Sequence, residues 1–140
     1  AQSLGVTMQE PFTMNVLSLA YLGDAVYERL VRARLIRQEA LPAGQLHREA
    51  MRYVSAPRQS LACSVLVPLL RPDELSVFRR ARNANSPHVP RHASLGDYHH
   101  ATALEAVFGY LELRNEQERI QALFDPIFEY LTQTEATSSR

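Results

Sequence analysis

Asp24 is a residue whose surroundings suggest chemistry, because it interrupts a nearly unbroken apolar run over residues 16–27. Such a run predicts a helix that is apolar on all sides, which is typical of a protein core. We therefore expect the Asp24 carboxylate to be removed from bulk water, which is costly unless the charge has a partner. Chains accept that cost where a carboxylate holds a cation or does chemistry. Gly23 costs ~1 kcal/mol relative to alanine inside a helix, which predicts that another backbone passes close to it.

A second carboxylate repeats this pattern. Glu105 lies in the apolar segment ATALEAVFGYL, and Gly109 follows four residues later. Residues four apart share a helix face, so Ala101, Glu105 and Gly109 form a stripe of small residues with one charge, as do Ala20 and Asp24. Two such stripes could pack closely and bring the carboxylates together. Mg²⁺ binds a few carboxylate oxygens and keeps several waters, so the pattern favours a metal-assisted phosphodiester site. A buried Asp and Glu that each pair with arginine stay open as the alternative.

The elements that must position these carboxylates are helices. Helical periodicity runs through most of the chain, and no segment alternates with the period of a strand over a useful length. Helix-start signals occur at Ser55, Pro72, Ser94 and Asn115, and Pro126 is expected to kink or divide the last helix. We predict an all-α fold of about six helices without an internal repeat. The predicted domain covers residues 14–134, between a flexible lead-in (1–13) and a disordered tail (135–140); its helices cover roughly 14–36, 45–54, 55–69, 72–82, 94–113 and 115–134.

The composition narrows the functional classes. The 140 residues suit one domain, and the net charge is zero, but all 15 basic side chains are arginine. Arginines are concentrated between residues 71 and 91 and acids between 112 and 135, which predicts one basic and one acidic face. No apolar stretch is long enough to span a bilayer and no signal peptide opens the chain, so we expect no membrane association. The single cysteine, Cys63, is expected to be a small core residue, and a reducing compartment such as the cytoplasm fits this cysteine content.

Several short motifs occur in an order that resembles the ribonuclease III family. The segment YLGDAV around Asp24 is similar to the signature helix of that catalytic domain, and EAVFGYL, which begins at Glu105, is similar to its second acidic helix. More specifically, the chain resembles Mini-ribonuclease III, a small bacterial branch that has the nuclease domain alone. The ordered set, which spans roughly residues 14–133, consists of LAYLGDAVYE (19–28), HREA (47–50), YVSA (53–56), RNA (82–84) and ATALEA (101–106).

The resemblance implies a magnesium-dependent endonuclease that cuts double-stranded RNA and leaves 5′-phosphates, with Mn²⁺ as an alternative metal. It makes Asp24 and Glu105 the catalytic and metal-binding residues. It also implies a homodimer in the bacterial cytoplasm that matures precursor large-subunit (23S) ribosomal RNA, with a ribosomal protein as a potential helper. Larger members of the family carry acids where this chain has Ala20 and Thr102, so water and RNA phosphate must supply more of the metal's ligands here.

A polar loop predicted over residues 83–93 continues the arginine-rich segment, and together they suggest an RNA-gripping edge. Double-stranded RNA is recognised through phosphates, 2′-hydroxyls and shape. The guanidinium group of arginine can bind a phosphate through two hydrogen bonds. A merely solvated helix face remains the alternative. The candidate RNA-binding residues are Arg79, Arg82, Asn83, Asn85, Ser86, Arg91 and His99.

Other polar residues near the carboxylates have simpler explanations. Glu28 is expected to pair with Arg32 one turn later rather than to bind metal. Asp97 is expected to complete a helix cap, and Tyr21 and Tyr110 are expected to lie in the core. Two further functional classes stay open: an RNA-binding dimer without catalysis, and a helical adaptor that uses the acidic last helix.

Overall fold

The computed structural model describes residues 8–38, 41–85 and 94–138, and this part of the chain is all α-helical, as predicted. Short 3₁₀ turns occur at Pro11–Thr13 and Val67–Leu69. The α-helices are α1 (Val16–Gln38), α2 (Ala43–Val54), α3 (Ala56–Leu66), α4 (Pro72–Arg82), α5 (Leu95–Leu113) and α6 (Gln117–Ser138).

Helix α5 forms the centre of the molecule. From Ala101 to Leu111 every residue is buried except Glu105, which is partly exposed. Helices α1, α3 and α4 pack directly around α5, which explains why its sequence is apolar on all sides. Helix α5 can therefore hold the charged side chain of Glu105 at the position where the surrounding helices leave it partly exposed.

Helices α1 and α5 cross in backbone contact, and two glycines permit it. A Cβ atom on Gly23 would lie 1.6 Å from the carbonyl oxygen of Glu105, and one on Gly109 would lie 1.9 Å from the carbonyl oxygen of Leu19. The contact confirms the prediction that another backbone passes close to Gly23. On α1, however, the contacting face runs through Leu19 and Gly23 and not through the predicted stripe of Ala20 and Asp24. The same crossing places the turns that carry Asp24 and Glu105 side by side.

The start of α4 is fixed by a buried carboxylate in its first turn, near the positive end of the helix dipole. Glu74 is fully buried; one oxygen accepts from the backbone N–H of Arg71 at 2.8 Å, and Arg119 donates to both oxygens. Charged hydrogen bonds on both sides satisfy an acid that would otherwise be costly to bury.

The connection between α5 and α6 differs from the prediction. Asn115 does not open α6 but ends α5: it adopts a left-handed conformation with φ 59°. Its N–H bonds to the carbonyl of Glu112, and the next N–H bonds to the carbonyl of Leu111, which is the Schellman pattern of a helix end. Asparagine tolerates this conformation better than most residues. The residue type alone therefore did not distinguish the end of α5 from the start of α6.

The last helix also differs from the prediction, since it continues through Ser138 rather than ending near Thr134. It thus includes part of the segment predicted as a tail, while residues 139–140 lie outside the described residues. Pro126 lies inside the helix without dividing it. Apolar side chains are buried on both sides of the proline, at Phe124 and Ile127 among others, and this packing favours a continuous helix despite the lost hydrogen bond. None of the described helices is long and apolar enough to cross a membrane.

Candidate active site

The two carboxylates share one cleft between α1 and α5. The cleft has a volume of about 230 Å³ and is lined by Leu17, Ala20, Tyr21, Asp24, Tyr98, Thr102 and Glu105. The sequence predicted that Asp24 and Glu105 would meet, and the structure brings them together.

The exposure of the two acids differs from the expectation. Asp24 is exposed rather than removed from water, and only Glu105 is partly buried. The reason lies in the face of α1 that no other described helix covers: it also carries Tyr21, which is 85% exposed, and Ala25. An apolar sequence thus correctly predicted that α1 lies in the core but did not show which side stays open. Tyr21 was expected in the core and instead lines the cleft.

Glu105 is electrostatically strained in the absence of a cation. Burial, followed by the negative charge of nearby Asp24, raises the pKa of the Glu105 carboxyl to about 8, and a hydrogen bond from Gln59 partly opposes this rise. Two carboxylates this close are unfavourable when both are ionised. The pair therefore favours a positive species between them, either a proton or a metal cation.

Two residues near Glu105, one that bonds to its carboxylate and one that lines the cleft, were not singled out from the sequence. Gln59 of α3 is 2% exposed, and its Nε2 donates to Glu105 Oε2 at 3.3 Å. Tyr98, one turn before Thr102, lines the cleft. Neither residue had a signal in the sequence: α3 carries other polar side chains at Arg58, Ser60 and Ser64, and a tyrosine at the start of a helix is commonplace.

The donor set suits a hard cation that keeps much of its water. Within the described residues no group of three or more His, Cys, Asp or Glu side chains could hold a metal ion, so the cleft offers two carboxylates alone. At the two positions where larger relatives carry acids, Ala20 contributes no donor, and the Thr102 hydroxyl donates to the carbonyl of Tyr98 at 2.9 Å. Mg²⁺ is commonly bound through one or two carboxylates together with waters and substrate phosphates, so these residues fit it.

Most of the simpler explanations are confirmed. Glu28 pairs with Arg32 at 2.7 Å. The N–H of Asp97 donates to Ser94 Oγ at 3.0 Å, so this cap forms. Tyr110 is buried and its hydroxyl donates to Asp73 at 2.7 Å.

Cys63 is also a core residue. It is 6% exposed, and burial raises the pKa of its thiol to about 12. A protonated, buried thiol is inert as a nucleophile.

The predicted RNA-binding residues are not part of the cleft lining. On α4, Arg79 is exposed and Arg82 is partly exposed, with its Nε donating to Asn83 at 3.4 Å. Asn83 and Asn85 are exposed beyond the helix end. Ser86 and Arg91 lie outside the described residues, as does most of the predicted loop.

Two further side chains near these candidates have visible roles. His99 is half-buried, and its ring lies edge-on to Tyr98 with centroids 5.7 Å apart. Arg80 stacks over the ring of Phe12 and donates to its carbonyl at 2.7 Å. Arg80 therefore anchors the N-terminal turn, whereas Arg79, which is exposed, and Arg82, which is partly exposed, form a basic edge in the last turn of α4.

The fold and the paired acids define a known class of nuclease domain. A model of the Ribonuclease III domain family matches residues 17–116, which include both carboxylates. A crystal structure of a protein from Fusobacterium nucleatum superposes with a TM-score of 0.76 at 27% identity, over 87% of this chain and 98% of that one.

Sequence identity to known relatives shows to which branch of this nuclease family the chain belongs. The chain is 43% identical over 120 residues to Mini-ribonuclease 3 of Brevibacillus brevis, covering 86% of this chain and 90% of the relative. It is 38% identical over 124 residues to Mini-ribonuclease 3 of Symbiobacterium thermophilum, covering 89% and 95%. The chain belongs to the Mini-ribonuclease III family. It is accordingly an endoribonuclease acting on double-stranded RNA, in a family whose members generally depend on a divalent metal ion.

Proposed function

We propose that this protein is a magnesium-dependent endoribonuclease that cuts double-stranded RNA with Asp24 and Glu105, and that its substrate is precursor large-subunit ribosomal RNA in the bacterial cytoplasm. The observation that carries the metal assignment is the pair of carboxylates in one cleft, where the Asp24 charge helps to raise the Glu105 pKa to about 8. The ribosomal substrate, the cytoplasmic location and a ribosomal-protein helper rest on the family resemblance.

The two acids of the cleft, Glu105 and Asp24, have different roles. Glu105 comes from the central helix and has little freedom to move, whereas Asp24 is exposed and can meet the incoming RNA. A bound Mg²⁺ ion supplies Lewis-acid chemistry, because it stabilises negative charge on the phosphate and makes a bound water more acidic. To bind a cation, Glu105 must release its proton, so we expect proton and metal to compete at this carboxylate up to about pH 8.

A single cleavage assay tests the proposal. A long RNA duplex is incubated with the protein in Mg²⁺, in Mn²⁺, or after treatment with EDTA. Cleavage with either metal but not after chelation supports the metal role; binding of the duplex without cleavage in any metal would instead support an RNA-binding dimer without catalysis.

A second assay addresses the ribosomal substrate. A duplex made from the paired ends of precursor large-subunit RNA is compared with an unrelated duplex of equal length. We expect a higher kcat/KM and a single cut per strand on the precursor duplex. Equal rates and scattered cuts on both would leave the protein a general double-stranded RNA nuclease.

We predict a homodimer with roughly twice the chain mass. Helix α1 carries two large exposed apolar side chains, Tyr21 at 85% and Ile36 at 63% exposure, and burying such side chains against a second subunit is favourable. A second subunit would also supply a second cleft for the other RNA strand. Light scattering at micromolar protein checks the mass, and a monomer that still cuts both strands would contradict the proposal.

We predict that the basic edge formed by Arg79 and Arg82 binds RNA phosphates beside the cut, together with Arg91, which lies outside the described residues. Each phosphate contact releases condensed counterions, so affinity should fall steeply with salt. Replacing Arg79 and Arg82 by alanine should flatten the slope of log affinity against log salt by about one unit per lost contact. The chemical step at saturating RNA should change little, because neither side chain lines the cleft.

A single-arginine control, compared with Arg79→Ala and Arg82→Ala made one at a time, separates this edge from a general loss of positive charge. Arg37 lies in the last turn of α1, about 20 Å along that helix from Asp24. Arg37→Ala should leave the salt slope unchanged. If the Arg79 and Arg82 variants show the same slope as wild type, the edge is only a solvated helix face.

A further inference from the structure

The end of α2 is held by three side chains that come from its neighbours. The last carbonyls of a helix have no partner within the helix, and here each of three receives a side-chain donor. Arg58 donates to the carbonyl of Arg52 at 2.8 Å, Tyr27 to that of Tyr53 at 3.3 Å, and Gln59 to that of Val54 at 3.0 Å.

Gln59 differs from the other two because its amide also reaches the active site. The same Nε2 atom that donates to Val54 donates to Glu105 Oε2. An amide nitrogen carries two hydrogens, so both bonds can form at once. Because the Val54 carbonyl can only accept, the amide must turn its nitrogen toward it. This bond fixes the amide, and the second hydrogen is thereby aimed at Glu105.

The other end of the Gln59 amide makes the arrangement costly for the fold. Its Oε1 is buried and has no hydrogen-bond partner among the described residues. A buried acceptor without a partner destabilises a protein, and methionine would fill the same space without that cost. A core position with only a packing role favours the apolar residue, so the retained glutamine points to the carboxylate it contacts.

We propose that Gln59 is a positioning residue that holds the Glu105 carboxylate by one oxygen and leaves the other oxygen facing the cleft to bind the catalytic cation. This inference rests on the proposed role of Glu105 as a metal ligand. Partners that orient a ligating carboxylate commonly change metal affinity or activity 10- to 100-fold when removed. The tether is rigid because it runs from Glu105 through Gln59 to a helix backbone rather than to another mobile side chain.

Binding of Mn²⁺ alone, followed by electron paramagnetic resonance in the absence of RNA, tests this role directly. Gln59→Met keeps the volume and removes both donors; we expect it to weaken Mn²⁺ binding about tenfold or more. Gln59→Asn keeps the amide but is one methylene too short to span Val54 and Glu105, and it should weaken binding similarly. In cleavage assays, the metal concentration for half-maximal rate should rise by the same factor, while the KM for RNA at saturating metal stays within about twofold.

Tyr27→Phe is the matched control, because it removes a donor from the same end of α2 without breaking a hydrogen bond to Glu105. It should leave Mn²⁺ affinity unchanged even if it lowers the urea midpoint as much as the Gln59 variants do. The inference is overturned if Gln59→Met and Gln59→Asn bind Mn²⁺ like wild type, or if Tyr27→Phe weakens binding equally. Glu105→Gln separates a failure of the Gln59 role from a failure of the proposed metal site: if Glu105→Gln binds Mn²⁺ as well as wild type, Glu105 is not a metal ligand.

Discussion

Asp24→Asn and Glu105→Gln should each lower double-stranded RNA cleavage about a thousandfold or more while leaving the fold intact. Among the described residues the cleft contributes only these two carboxylates, so removing one charge leaves a cation with half of these protein ligands. Loss of a group that stabilises charge in a transition state commonly costs 10²–10³ in rate, and loss of the cation costs more. Single-turnover cleavage at saturating RNA measures the effect.

Glu105→Gln should also stabilise the metal-free protein, in a manner that depends on pH. The Glu105 pKa is about 8 in the folded chain and about 4.5 when unfolded. Between these values the folded state binds more protons, so stability falls as pH rises. Glutamine removes this penalty: the gain should be near zero at pH 4.5 and reach roughly 2–4 kcal/mol above pH 8.

Urea unfolding in EDTA at pH 5 and pH 8.5 checks this dependence. If Glu105→Gln is more stable than wild type at high pH and yet inactive, the loss of activity does not come from a loss of the fold. The role of Glu105 is then catalytic and not structural. Cleavage by Asp24→Asn within a few-fold of wild type would sink the assignment of the active site. A Glu105→Gln variant whose stability advantage does not grow with pH would show that the carboxyl is not strained.

The site was predictable where the sequence places residues that are unfavourable in a buried helix. An acid and a glycine inside an apolar helix are each unfavourable, and their repetition in two segments predicted both the helix crossing and the meeting of Asp24 with Glu105. The same reasoning could not give the open side of α1, since apolar composition does not distinguish a face covered by another helix from one left uncovered. Tyr21 was therefore misplaced.

Features that depend on tertiary contacts were out of reach. Gln59 matters because it joins the end of α2 to α5, and no spacing within α3 indicates that. Asn115 carried signals for both a helix start and a helix end, and the backbone geometry selected the second. Local sequence patterns thus predicted the helices and the residues that are unfavourable within them. The side chains that contact those residues come from other parts of the chain, and local patterns did not identify them.

Gly23→Ala should be strongly damaging although it adds only one methyl group. The new Cβ atom would lie 1.6 Å from the Glu105 carbonyl oxygen and 2.9 Å from the Gly109 nitrogen. Both are backbone atoms, so no side chain can rotate away and α1 and α5 must separate by roughly 1 Å or more. We expect a loss of about 3 kcal/mol or more in the free energy of unfolding.

The same separation should reduce activity in the molecules that remain folded. Asp24 follows Gly23 directly, and Glu105 supplies the carbonyl in the clash, so moving the helices apart moves the two carboxylates apart. Misplacement of reacting groups by about 1 Å can cost ~10²-fold in rate. Urea unfolding and single-turnover cleavage at a temperature where the variant is folded measure the two effects separately.

Gly96→Ala provides the control within the same chain. Gly96 also lies in α5, but a Cβ atom there would meet nothing within 4 Å. Alanine should be neutral or add up to about 1 kcal/mol of stability through helix propensity, with unchanged cleavage. If Gly23→Ala is as stable and active as Gly96→Ala, the two helices do not cross in backbone contact, and the shared cleft of Asp24 and Glu105 loses its structural basis.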